Sequence, residues 1–167
     1  CYFGMIFLIF AVPGYFVAAK YVDKIGRKPI QYLGFLMMAI CFGLISLHTI
    51  TSLVPVFVLI FGISYFFVNF GPNATTFLIP SEVYPTAIRA RAHGISAAIG
   101  KVGAFIGACA VPIMLKEHGL HFSMAVMAVV SLLGMAVTML IPEMKNKSLD
   151  ETEVFNDSQQ DMFNSNS

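Results

Sequence analysis

Apolar residues run through this chain in long blocks that contain no formal charge. Cys1 to Ala19 is the first, Pro29 to Ser81 the second and Phe122 to Pro142 the third. Ala92 to Leu115 is apolar apart from His93 and Lys101. A bilayer crossing takes about 20 apolar residues as a helix. The second block is far longer than that and must turn, and the polar patch His48-Thr49-Ile50-Thr51-Ser52 followed by Pro55 marks where. The pattern therefore predicts five helical spans, at 1–20, 30–48, 53–79, 92–115 and 120–141. Outer-membrane strands would be short and alternating, which these runs are not. The expected class is an all-α membrane protein.

Composition excludes most alternatives. The 167 residues are 57% apolar and 11% charged, whereas soluble domains carry about a quarter charged residues. Ten Lys+Arg against nine Asp+Glu leave a net charge of +1, without the basic footprint of a nucleic-acid binder. A signal peptide is not expected, because a basic leading segment is absent and the first block runs into Pro13-Gly14 and a charged loop. The first residue is Cys1 and the span count is odd, so the sequence reads as a piece of a longer protein. Residues 1–143 are expected to form the transmembrane bundle. Residues 144–167 are a polar tail, expected to be disordered and cytoplasmic.

Charge placement sets the orientation. Lys20, Lys24, Arg27, Lys28, Arg89, Arg91, Lys145 and Lys147 fall in loops on one side, against Lys116 on the other. The positive-inside rule puts the eight, and the tail, in the cytoplasm. Cys1, Cys41 and Cys109 show no metal or disulfide spacing, and no nucleotide loop, zinc motif or nucleophile–base pair is visible, so an enzyme and a resident cofactor are not expected.

Several short stretches carry candidate chemistry. In Asp23-Lys24-Ile25-Gly26-Arg27-Lys28-Pro29, Gly26 permits a sharp reversal and Pro29 suits the first position of a helix. Asp23 caps a helix end or pairs with Arg27. The loop is then either a topological anchor or a cytoplasmic latch whose ion pairs break when two bundles rock apart. In Ile79 to Arg89, Pro80 ends the third span, and Glu82 lies in reach of Arg89, Arg91 or the preceding basic loop, or is simply solvated. The third span is interrupted at Gly71-Pro72, where a carbonyl loses its partner. Asn73, Thr75 and Thr76 flank the break and serve either interhelical bonding or a midplane ligand. Asn73-Ala74-Thr75 also fits the glycosylation pattern, but lies within a span.

Lys101 stands out most. It is ten residues beyond Arg91, ~15 Å of helix rise, near the middle of the bilayer. An isolated Lys there costs about 2.5–3.5 kcal/mol. It should face the bundle interior and meet an anion or a carboxylate. Gly100, Gly103, Ala104, Gly107 and Ala108 around it allow a helix to approach closely. The histidines His48, His93, His118 and His121 lie near span ends, where an interfacial position accounts for them.

The loop Asp23–Pro29 resembles the repeated D-x-x-G-R-K-P loop of the major facilitator superfamily. Pro80-Ser81-Glu82-Val83-Tyr84-Pro85-Thr86 with Arg89 resembles that fold's loop between spans ten and eleven, and Ile141-Pro142-Glu143 with Ser148-Leu149-Asp150-Glu151 its sugar-porter-like ending. Asn69 to Phe77, His93 to Ala104 and Pro13-Gly14-Tyr15 are similar to the phosphate:H⁺ symporter family. The resemblance covers 1–152 and implies spans eight to twelve of a helical bundle that transports inorganic phosphate with protons by alternating access. It implies that Asn73 contacts the bound phosphate and that Lys101 lies near the same site. The acids that carry protons, and further phosphate ligands, would belong to an N-terminal half outside this sequence. Arg91 and Met144-Lys145-Asn146 depart from the family pattern. A sugar or other organic solute transporter of the same fold, and a non-transporting membrane sensor, are the alternatives.

Overall fold

The structure is a computed structural model that describes residues 2–47, 53–84 and 88–140. All regular structure in these residues is α-helix: α1 (Tyr2–Ile25), α2 (Arg27–Ser46), α3 (Val54–Phe70), α4 (Pro72–Val83), α5 (Arg89–Glu117) and α6 (Gly119–Leu140). Among the described residues, four segments are long and apolar enough to cross a membrane by length and composition: Arg27–Ser46, Val54–Glu82, Arg89–Glu117 and Gly119–Leu140. α1 has the length as well, with Lys20, Asp23 and Lys24 gathered at its C-terminal end. The patch at 48–52, the 85–87 segment, the sugar-porter-like ending and the tail fall outside the described residues.

The interior is made of small and polar groups. Buried apolar residues are few, chiefly Ala11, Ala18, Ala39, Cys41, Ile30, Ile45 and Phe70. Ser64, Thr75, Ser123, Ser131 and Thr138 are buried beside them, and each hydroxyl donates to a carbonyl three or four residues back. These bonds stay within one helix, so the hydroxyls enter the interface already satisfied. Large side chains point the other way. Phe16, Phe105, Leu133 and Leu140 are all well over half exposed. An interior of small residues under a large-apolar exterior is the arrangement expected where lipid rather than water surrounds the helices.

Small residues also set how closely the helices approach. α2 packs against α6 on one side and α3 on the other, and α1 covers α3. Gly34 of α2 lies directly on the break between α3 and α4. A Cβ on Gly34 would sit 2.7 Å from Gly71 Cα and 2.8 Å from Pro72 Cδ. Between α2 and α6, buried Gln31 donates to Thr138 Oγ1 at 3.2 Å. α5 packs lightly on α6 and α4, and none of its residues is buried.

The helix ends meet in two tiers. At one end Arg27 of α2 binds Asp23 of α1 and Glu82 of α4, and Lys28 Nζ donates to Met139 O, near the C-terminus of α6, at 2.7 Å. A cation there complements the negative end of the helix dipole. At the other end Ser46 Oγ donates to His121 O at 3.1 Å.

Three boundaries differ from the sequence expectation. α1 runs on through Asp23 and Lys24, which leaves Gly26 alone between two helices, at φ 109. That left-handed conformation is why glycine suits the position. Pro29 is the third residue of α2, not its first, and still within the turn whose N–H groups need no intrahelical partner. Pro80 does not end the third span. α4 continues through it to Val83.

Candidate functional site

The break at Gly71-Pro72 organises the site. α3 closes with Gly71 N donating to Phe67 O at 2.9 Å, and Gly71 takes φ −99 and ψ −100. Pro72 opens α4 and has no N–H to give one turn back. Polar side chains then step across the break. Asn69 Nδ2 donates to Tyr65 O at 2.7 Å, and Asn73 Nδ2 donates to Asn69 Oδ1 at 2.9 Å. Thr75, fully buried, donates to Gly71 O at 2.9 Å. The Asn73 bond thus spans the break from α4 to α3, whereas those of Asn69 and Thr75 stay within one helix or its cap. Asn69 is buried and holds Asn73, which is exposed, in a fixed orientation. One amide N–H of Asn73 is spent on Asn69, and its second N–H and carbonyl complete its inventory.

Asn73 faces two cavities. One, of about 280 Å³, lies between α1, α2 and α4 and is mostly apolar. The other, of about 360 Å³, lies between α4 and α5, and Asn73 and Lys101 both line it. Thr76, His93 and Ser96 contribute further polar atoms to its wall. Among the described residues, no carboxylate lines it. Ser96 is held by Tyr84, whose hydroxyl lies 2.9 Å from Ser96 Oγ. The volume falls in the range of small-ligand sites, about 300–1,000 Å³.

Lys101 meets the cavity but not the carboxylate that could have neutralised it. Among the described residues no ion pair involves it, and it is exposed on α5. With amide, hydroxyl and ammonium donors around a wall without acids, the arrangement is suited to an oxyanion.

The basic end is separate from this cavity. Arg27 is 16% exposed, and Glu82 27%. Arg27 Nε and Nη2 both reach Glu82 Oε1, at 3.1 and 2.8 Å. Asp23 Oδ1 lies 2.9 Å from the same Nη2. Glu82 therefore pairs with the Asp23–Pro29 loop, one of its three anticipated partners. Arg89 instead donates Nε to Tyr84 O at 3.0 Å, tying the start of α5 to the residue that ends α4.

His93 is the residue that sequence reasoning passed over. It lies near the start of α5, at the span end where the sequence places it, and it also lines the cavity that Lys101 lines. The signal was its spacing: 93, 97 and 101 recur every fourth residue along one side of a helix. Cys41 is buried and Cys109 exposed, both as free thiols.

Comparison with known proteins bears on this arrangement. Residues 1–155 match the family described as Sugar (and other) transporter. The chain is 42% identical over 144 residues to the probable inorganic phosphate transporter 1-6 of Arabidopsis thaliana, covering 84% of this chain and 28% of that protein. It is 41% identical over 157 residues to the repressible high-affinity phosphate permease of Neurospora crassa, covering 88% and 27%. The chain thus spans under a third of the length of these relatives. Among solved structures it superposes on a double-tryptophan variant of XylE with a TM-score of 0.83 at 26% identity, over 90% of this chain and 34% of that one. XylE bound to 6-bromo-6-deoxy-D-glucose, described as a proton:xylose symporter of the major facilitator superfamily, gives 0.77 at 26% identity, over 92% and 33%. The inside-out packing, the helix break and these matches agree: the chain belongs to the sugar (and other) transporter family of the major facilitator superfamily, a family of integral membrane transporters.

Proposed function

We propose that this chain is the C-terminal bundle of a secondary transporter that takes up inorganic phosphate together with protons. The observation that carries the reading is the cavity that Lys101 and Asn73 both line, with no carboxylate among the described residues of its wall. Phosphate is an oxyanion with four oxygens to satisfy. Lys101 supplies charge and up to three N–H donors, Asn73 an amide donor held in place by Asn69. The relatives named as phosphate transporters support the same substrate.

The relatives' greater length leaves room for a partner bundle, which would close the cavity from the other side. In this reading phosphate and a proton enter from outside, the two bundles rock, and phosphate leaves inward as Lys101 hydrates. The acids that carry the proton belong to the partner bundle. The basic end, with Arg27 and Glu82, faces the cytoplasm, and the tail with it. Their ion pair acts as a latch that must open for the inward-facing state. The membrane is the plasma membrane, and no enzymatic step is involved.

The test is uptake of labelled phosphate by the full-length transporter in proteoliposomes under a proton gradient. Lys101→Ala should abolish uptake while membrane expression stays normal. Unchanged uptake in that variant would sink the role of Lys101. Suppression of wild-type uptake by excess xylose or glucose would favour an organic solute, and an absence of any net flux would favour a sensor.

A further inference from the structure

His93 links two cavities. It lines the Asn73–Lys101 cavity, and it also lines a second cavity of about 410 Å³ walled by Ser81, Arg89 and Ala90. The second cavity sits at the N-terminal end of α5. Among the described residues, no carboxylate lines either. Arg89, His93 and Lys101 thus follow one another along α5 over ~18 Å of rise. His93 Nδ1 is buried and has no hydrogen-bond partner. Nδ1 is closed off from solvent, so Nε2 is the ring nitrogen left to meet a ligand in a cavity. The acid nearest in the chain, Glu82, spends Oε1 on Arg27 and lines neither cavity.

We infer that His93 is a second anion contact, which takes phosphate as it leaves Asn73 and Lys101 and passes it to Arg89 at the basic mouth. The inference rests on the phosphate reading above and adds an inner site to it. A single strong site holds its anion, whereas a series of weaker donors lets it move on. Imidazole suits the middle position because it offers at least one N–H in either protonation state. Lysine at 93 would add a full charge and bind more tightly.

The experiment separates the two faces of the transporter. The full-length protein is reconstituted in proteoliposomes, and phosphate is varied outside during uptake and inside during exchange. The variants are His93→Leu, which keeps bulk and removes both nitrogens, and His93→Gln, which keeps an N–H donor. In His93→Leu the KM for external phosphate should stay within about twofold. Its kcat for net uptake should fall, and its KM for internal phosphate should rise, each by roughly tenfold, the size of one lost hydrogen bond to a charged group. His93→Gln should recover most of both. Arg89→Gln should raise the internal KM alone, which gives a second reading if His93→Leu fails to fold.

Wild-type behaviour in His93→Leu would overturn the inference. So would equal impairment in His93→Leu and His93→Gln, which marks a packing role, or an equal rise in KM on both faces. Lys101→Ala in the same vesicles keeps the two readings apart. If wild type moves phosphate and Lys101→Ala does not, a normal His93→Leu counts against His93 alone. If Lys101→Ala also transports, the phosphate site itself is misassigned.

Discussion

Arg27 donates two N–H groups, Nε at 3.1 Å and Nη2 at 2.8 Å, to the same oxygen of Glu82. The contact joins residues 55 apart in sequence and ties the start of α2 to the end of α4. Asp23 touches the same guanidinium at 2.9 Å but is 76% exposed. The two acids therefore differ in worth. Exposed pairs contribute about 0–1 kcal/mol, whereas a charge-assisted pair shielded from water contributes more, about 1.5–3 kcal/mol.

Thermal denaturation of the purified full-length transporter should rank them. Glu82→Ala should cost on the order of 2 kcal/mol, and Asp23→Ala about 0.5 kcal/mol or less, from the same exposure argument. Added salt should shrink the Asp23 effect first, because water and ions reach that carboxylate. Equal losses in the two variants would refute the ranking.

Gly34→Ala tests the close approach of α2 to the helix break. Its Cβ would meet backbone at 2.7 Å and the Pro72 ring at 2.8 Å, and neither can rotate away. Overpacking of this kind costs about 1–3 kcal/mol. Gly43→Ala, on the same helix with nothing within 4 Å of the added carbon, should be neutral or gain up to about 1 kcal/mol in helix propensity. Thermal stability and expression level of the two variants are the readouts, and a tolerated Gly34→Ala would mean that α2 and the break are further apart.

Asn73→Asp tests whether the amide faces an anion. The substitution keeps size and places a carboxylate 2.9 Å from where Asn69 now accepts a bond. Repulsion of phosphate and of Asn69 Oδ1 should reduce labelled phosphate uptake by more than tenfold, on the order of 1.5–3 kcal/mol. Asn69→Ala, which only removes the brace, should raise KM severalfold with a smaller loss of kcat. Retained uptake in Asn73→Asp would remove Asn73 from the site.

The helices were legible because bilayer thickness is a length scale that hydropathy reports directly. All five expected spans appear as helices, the third in two pieces, and the break at Gly71-Pro72 is visible because a proline ring cannot donate whatever surrounds it. Boundaries were less legible. Pro80 reads as a stop, but α4 passes through it, as proline inside a helix is tolerated where neighbours take up the freed carbonyl. Likewise the run of charges before Pro29 reads as a loop, yet Gly26 alone makes the reversal.

Sequence alone determined what depends on the chemistry of residues near one another in the chain: which stretches are long and apolar enough to cross a membrane, where the backbone loses a donor, and that Lys101 falls inside such a stretch. Tertiary structure decided which residues share a space. It brought Asn73 of α4 and Lys101 of α5 to one cavity, chose Arg27 for Glu82, and put His93, near the start of α5, in the wall of the same cavity. These are relations between separate helices. They follow from crossing points set by small residues such as Gly34 and Gly71, and no periodicity along a single helix encodes where another one lands.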